Sequence, residues 1–184
     1  ETVKKNEEQS YPRKLTFRWE KDSSETYIVE IAKTKDFSQP IVVVKEECFC
    51  EASNFEVGQR YFWRVNGGEV RSFETKANFP RFIKIDGLLN VRDIGGNKIK
   101  QGMVYRGSEL NYTYQITQEG KRVFEKDLKI KSEIDLRAED MGEFCRGEVG
   151  GTVKYIMLPY RPYKEAFEEK NKKRLCKIME FLAD

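Results

Sequence analysis

Between Lys14 and Thr75 apolar and polar residues take turns along the chain. In "KLTFRWE", Leu15, Phe17 and Trp19 alternate with Lys14, Thr16 and Arg18, the period-two signature of a half-buried strand. "TYIVEIAKT" repeats the pattern through Tyr27, Val29 and Ile31, and "PIVVVKE" supplies a third apolar run. "VGQRYFWRVNGGEVRSFET" reads as two strands joined at Asn66-Gly67-Gly68, residues that admit the left-handed backbone of a tight hairpin. Short strands about ten residues apart, with turn residues between them, predict a small antiparallel sandwich. Pro80 then interrupts any regular element, and residues 76–82 read as a short linker with an apolar tail.

From residue 83 the period changes. In "TQEGKRVFEKDLKIK", Thr117 is suited to cap a helix and Glu119 falls in its first turn, where the helix dipole favours negative charge. Val123, Phe124 and Leu128 form the apolar stripe of that helix. "IKSEIDLR" predicts a strand with Ile130, Ile134 and Leu136 on one face, and "VKYIMLPY" predicts another. "KEAFEEKNKKRLCKIMEFLAD" has a helical period through Phe167, Leu175, Ile178, Met179 and Leu182. Its charge run pairs Glu168 with Lys172 and Glu169 with Lys173 at i,i+4, the pattern of a solvated face rather than a basic patch. Helices alternating with strands predict an α/β layer with a partly parallel sheet. The boundary between the two classes falls near residue 78, giving an all-β domain over 1–77 and an α/β domain over 78–184.

Composition narrows what chemistry is open. The 34 basic and 31 acidic residues leave a net charge of +3 in 184 residues, a balance unlike the one-sided basic surface of a nucleic-acid binder. No apolar run is long enough to span a membrane. Residues 1–10 have no apolar core, so they are not a signal peptide, although they suit what remains once one is removed. Histidine is absent, so neither a Ser-His-Asp or Cys-His nucleophile nor a His-based zinc site can be completed by these residues alone. The four cysteines, Cys48, Cys50, Cys145 and Cys176, have no metal-ligand spacing and read as small buried hydrophobes or free thiols. Cys48 and Cys50 point to one strand face, a poor geometry for bonding each other.

The segment "NVRDIGGNKIKQGMVYRGSEL", residues 90–110, fits neither period and concentrates four glycines with Arg92, Asp93 and Arg106. In open α/β sheets ligands settle beyond the carboxyl ends of strands. Asp135 and Arg137 close the "EIDLR" strand, and Arg106 follows the "MVY" run. Gly95 and Gly96 allow close backbone approach. Arginines converging on one crevice suit a phosphate or carboxylate through their forked donors. The same Arg92, Asp93, Asp135 and Arg137 equally suit a structural ion-pair network.

Two resemblances attach to these residues. The order "LTFRWE", "YIVEIAKTKDF", "YFWRV", "SFET" resembles fibronectin type III or Ig-like sandwich domains, over about 65 residues by the usual size of such modules. That likeness implies Trp19, Tyr61 and Trp63 as core or near-core aromatics and leans toward a periplasmic or extracellular location, the cytoplasm remaining open. A sugar-binding role for the aromatics is the alternative, and nothing in the spacing supports it. "GLLNVRDIGG", "VYRGSEL", "LKIKSEIDLRAEDM" and "KYIMLPY" resemble, in order and spacing, the N-terminal half of a bacterial tyrosine phosphatase family. Val91 stands where that family usually has Phe, Gly107 separates Arg106 from Ser108, and Glu139 and Glu143 bracket the place where the family's Glu is expected.

The second resemblance implies a phosphomonoesterase working through a cysteinyl-phosphate intermediate on a Cys-x5-Arg loop, with no cofactor. Six residues after each cysteine come Asn54, Glu56, Gly151 and Leu182, none of them Arg. The nucleophile and phosphate-loop Arg are therefore expected outside these residues, on a further segment or second chain of roughly 100 residues completing the α/β domain. These 184 residues alone are expected to be inactive. Asn90, Arg92, Asp93 and Arg106 are expected to build the floor and rim of the site, and Asp135 and Arg137 to brace the loop or contact substrate. The substrate is a phosphate ester: a phosphotyrosine protein, a phosphoinositide or a small ester. The alternative is a non-catalytic module that binds phosphate-bearing ligands or proteins through the sandwich.

Overall fold

The computed structural model describes residues 10–96, 98–110, 114–137, 149, 151–159 and 168–183. Its contacts divide the chain into two units, Glu1–Lys84 with Leu89–Arg106, and Ile85–Leu88 with Gly107–Asp184. The sequence patterns change near residue 78. Packing instead carries the first unit on to Arg106, because the segment after Pro80 returns as strands bound to it.

The first unit begins with six strands: β1 (Leu15–Arg18), β2 (Tyr27–Ala32), β3 (Ile41–Lys45), β4 (Phe49–Ala52), β5 (Arg60–Val65) and β6 (Arg71–Glu74). β1 pairs with β4, and a second antiparallel sheet runs β3-β2-β5-β6. In β2 the alternation is literal: Tyr27, Val29 and Ile31 are buried while Ile28 stands outside. Phe17 of β1 reaches across to the other sheet, its ring 5.1 Å from Trp63 and 5.6 Å from Phe73. The sheets therefore share one core of Phe17, Val29, Ile31, Cys50, Phe55 and Tyr61, with Trp19, Trp63 and Phe73 packed against it. Asn66 and Gly67 both take positive φ, +49° and +69°, as a hairpin turn with matching twist requires. Asn66 Oδ1 also accepts from the Ile28 N–H at 2.8 Å, tying the turn to β2.

Tyr61 opens β5 as a corner brace. Its hydroxyl accepts from the Glu56 backbone N–H at 2.8 Å, and its ring stacks on Phe73 with 13° between planes. Cys50 is buried, Cys48 half-buried and Cys176 exposed, all three as free thiols; Cys145 lies outside the described residues.

A three-stranded antiparallel sheet completes the first unit: β7 (Arg81–Ile83), β8 (Val91–Asp93) and β9 (Tyr105–Arg106). Arg81 and Phe82, expected in the linker, are strand residues. The reason is Arg81 itself, buried and donating to the carbonyls of Phe55 (2.9 Å) and Asn54 (2.5 Å) and to Asp93 (2.7 Å).

In the second unit Thr117 caps α1 (Gln118–Arg122) as its residue type predicts. Its hydroxyl accepts from the Gly120 N–H at 3.1 Å and donates to Asp86 at 2.7 Å. Gly120 is required there, since a Cβ would stand 2.1 Å from the Asp86 carbonyl oxygen. α1 does not continue as one helix: Val123–Asp127 form a π-helical turn that buries Val123 and Phe124. β10 (Ser132–Asp135) and β11 (Lys154–Met157) follow as a parallel pair, Asp135 in register with Met157. β10 ends before Leu136, which is exposed rather than continuing the strand face.

α2 (Glu169–Ala183) closes the described chain. Asn171 and Ile178 are its buried positions, whereas Leu175 and Met179 are exposed. The helical stripe is present but only part of it is covered. Phe167 and the side chain of Leu182 lie outside the described residues. The observed ion pairs differ from the expected i,i+4 set: Lys172 reaches Glu169 at 3.7 Å and Lys170 reaches Glu168 at 3.3 Å.

Burial pushes the Tyr61 phenol up to about 12, against an ordinary value of 10. A neutral group stabilised by folding contributes fully below the unfolded pKa and loses that contribution as pH climbs through the folded one. Unfolding free energy should therefore fall between pH 10 and 12, by about 2–3 kcal/mol from this residue. Tyr61→Phe should cost about 1 kcal/mol at neutral pH by losing the Glu56 bond, and should flatten the alkaline decline; chemical denaturation across that pH range measures both.

Candidate functional site

At the carboxyl end of β10, Asp135 and Arg137, two positions further on and past the strand's end, form a bidentate pair. Arg137 Nε lies 3.0 and 3.1 Å from the two carboxylate oxygens and Nη2 lies 2.7 Å from Oδ2. The Arg137 backbone N–H donates to Oδ1 at 2.9 Å, and the hydroxyl of Tyr155, from neighbouring β11, donates to Oδ2 at 2.9 Å. Burial raises the Asp135 pKa, but the bonds from Arg137 and Tyr155 together outweigh it and hold the carboxyl below its ordinary range. Asp135 is therefore an anion at neutral pH and has no proton to offer, so its role is to hold rather than to act as general acid.

The Arg137 guanidinium is fixed in turn. Its bonds to Asp135 raise its pKa further, and the charge of Glu109 adds in the same direction. Nε and Nη2 are occupied, yet Nη1 is buried with no hydrogen-bond partner among the described residues. A guanidinium nitrogen withheld from water needs an acceptor, and a phosphate oxygen has the matching geometry.

Asn90, Arg92, Asp93 and Arg106 belong to the first unit. Asp93 is buried and wholly engaged: Arg81 pairs with it, and the N–H groups of Gly95 (2.8 Å) and Gly102 (2.7 Å) donate to its two oxygens. It thereby ties both ends of the glycine segment to one carboxylate. Gly95 admits no side chain, since a Cβ would meet the Lys100 carbonyl oxygen at 2.4 Å. On the opposite sheet face Phe82, Arg92 and Arg106 stand in one cross-strand row. Arg92 lies over the Phe82 ring at 5.4 Å and donates to Asn90 Oδ1 at 3.1 and 2.8 Å. Like charges directly opposite on paired strands repel. Here the Arg92 side chain has only an amide oxygen, and the exposed Arg106 side chain has no hydrogen-bond or ion-pair partner among the described residues. That row is an anion-seeking surface. Glu139 and Glu143 lie outside the described residues.

Three participants were not singled out in the sequence. Tyr155 and Glu109 sit in segments whose pattern was read, but their relation to Arg137 depends on parallel register and loop course. Arg81 is an isolated charge in an apparent linker.

A family model described as the tyrosine phosphatase family matches residues 83–181, more than half of the chain; it includes Asn90, Arg92, Asp93, Arg106, Asp135 and Arg137 and begins just after Arg81 and Phe82. No curated protein and no solved structure gives a significant match.

Removing one partner of the buried Arg81–Asp93 pair should cost about 3–5 kcal/mol, since the other charge is left buried and unpaired. Denaturation of Asp93→Asn and Arg81→Met, with the double variant less damaged than the sum of the singles, would establish the coupling. For Asp135 the sign is the reverse of Tyr61. A depressed carboxyl pKa contributes stability above the unfolded value, lost as pH falls through the folded one. The difference in stability between wild type and Asp135→Asn should therefore shrink below about pH 4.

Proposed function

The chain belongs to the tyrosine phosphatase family, and we propose that it forms the substrate-holding part of a cysteine-dependent phosphomonoesterase. The observation that carries this reading is the fixed Arg137, with its buried Nη1 directed to no protein acceptor among the described residues. In the proposed reaction a thiolate from a Cys-x5-Arg loop outside these 184 residues attacks phosphorus. An S–P bond forms as the P–O bond to the leaving group breaks, and the departing oxygen takes a proton from a loop Asp. Water then cleaves the S–P bond, releasing inorganic phosphate and restoring the thiolate. Arg137 neutralises charge on the equatorial phosphoryl oxygens, while Asp135, Tyr155 and Glu109 keep it aimed. Arg92 and Arg106 form a separate anion-binding row within the first unit.

The substrate class is a phosphate monoester. The exposed Leu136, Met157, Leu175 and Met179 support a further segment or chain over the second unit. A two-stranded parallel pair with an apolar residue exposed at its end rarely stands alone. The first unit is read as a fibronectin type III-like domain. Its strand order β3-β2-β5-β6 beside β1-β4, and the Tyr61 hydroxyl bonded five residues upstream, support that reading. With it goes a periplasmic or extracellular location.

A second reading is a non-catalytic phosphate-binding module, favoured by the absence of any Cys-x5-Arg in the chain. Hydrolysis of p-nitrophenyl phosphate separates the two. The 184-residue chain should be inactive, and a longer product of the same reading frame should be active. Arg137→Ala in that longer protein should lower kcat/KM about a hundredfold. Equal hydrolysis by the short and long chains, or none by either, contradicts the proposal.

A further inference from the structure

The glycine segment of the first unit turns apolar side chains outward. Ile94 is 47% exposed, Ile99 43% and Met103 67%, and the Phe79 ring, 48% exposed, packs against Gly96 of the same loop. The loop is held from beneath, not loose. Ile94 N–H donates to the Val104 carbonyl at 3.0 Å, Gly96 N–H to the Ile99 carbonyl at 2.7 Å, and buried Asp93 binds the N–H groups of Gly95 and Gly102. With its base so tied, the segment cannot fold these side chains inward. Soluble proteins seldom leave clustered large apolar groups in water without a partner for them.

The charge around the loop is one-sided. Lys98 and Lys100 flank Ile99 and are exposed. Residues 76–85 and 94–108 contain no Asp or Glu, in a chain with 31 of them. Asp93 is consumed by Arg81, and Glu56, beside Gly102, is paired with Lys33. Another exposed apolar surface of this unit, around Ile28, Val42 and Val44, carries instead a neutralised Glu30–Arg64 pair. The glycine loop joins its exposed apolar side chains to two exposed lysines with no acidic residue in its own sequence.

We propose that this loop docks on an anionic phospholipid surface. Phe79, Ile94, Ile99 and Met103 enter the boundary between headgroups and acyl chains, and Lys98 and Lys100 meet the lipid phosphates. A protein partner would need an acidic apolar groove, whereas an anionic bilayer presents that combination over its whole area. The inference is independent of the chemistry at Arg137 and of whether the chain hydrolyses anything.

The test is flotation of the 184-residue chain with vesicles of phosphatidylcholine alone or mixed with phosphatidylglycerol. The chain should float with the mixed vesicles, far less with neutral ones, and the binding should weaken as salt is added. Lys98→Gln and Lys100→Gln should each reduce partitioning roughly fivefold. Ile99→Ser with Met103→Ser should abolish it even at low salt, with the thermal midpoint unchanged because both side chains are exposed. No binding to the mixed vesicles would overturn the proposal, as would variants that bind like the wild type. A dimer in sedimentation that Met103→Ser dissolves, without vesicle binding, would assign the surface to a second copy of the chain instead.

Discussion

The buried ion pair of Arg81 and Asp93 is the constraint on which the first unit's architecture depends. Each of the three guanidinium nitrogens of Arg81 has a fixed acceptor: the Phe55 carbonyl, the Asn54 carbonyl and Asp93. Asp93 spends its remaining acceptor capacity on Gly95 and Gly102. One pair of side chains thus joins the loop after β4, the strand β7, the strand β8 and both ends of the glycine segment. Burying two charges is tolerable because each guanidinium nitrogen and both carboxylate oxygens have a partner. The glycine segment has no regular period of its own, and that bonding anchors it at Gly95 and at Gly102.

The pair Asp135–Arg137 in the second unit is built on the same chemistry with one difference. Its carboxylate is equally engaged, by Arg137 side chain and backbone and by Tyr155. Its arginine, however, keeps Nη1 unpartnered among the described residues. A fully bonded guanidinium is scaffold, and one with a directed donor in reserve is equipped to receive an anion. The family match covers Asp93, Asp135 and Arg137 but not Arg81, and the contrast between the two arginines is the ground for the phosphate role proposed for Arg137. Preorganisation matters here because a donor already aimed requires no rearrangement when charge develops.

Much of the fold was legible because its cues are local. The alternation through Leu15, Phe17, Tyr27, Val29 and Ile31 marks strands whose buried face is set by the pleat, and Asn66-Gly67 marks a turn by backbone conformation alone. Thr117 is recognisable as a cap because its partner, Gly120, is three residues away. What was not legible is long-range. Arg81 looks like a charge in a linker until its acceptors at residues 54, 55 and 93 are brought together. The helical period of α2 identifies an apolar stripe, but whether Leu175 and Met179 are covered depends on neighbours, not on period. At the site, the sequence put Asp135 and Arg137 together at the end of one strand, and they pair there, Arg137 just past its last residue. Tyr155 joins them only through the parallel register of β10 and β11, which no local pattern encodes.

The central claim is that the reserved nitrogen of Arg137 receives a phosphate oxygen. It is tested most directly by following arginine guanidinium resonances by nitrogen-15 NMR while inorganic phosphate is added to the chain. The account predicts a saturable shift at Arg137, abolished in Arg137→Lys, with Arg81 unmoved. A phosphate titration that leaves Arg137 unshifted, or that moves Arg81 as much, would contradict it.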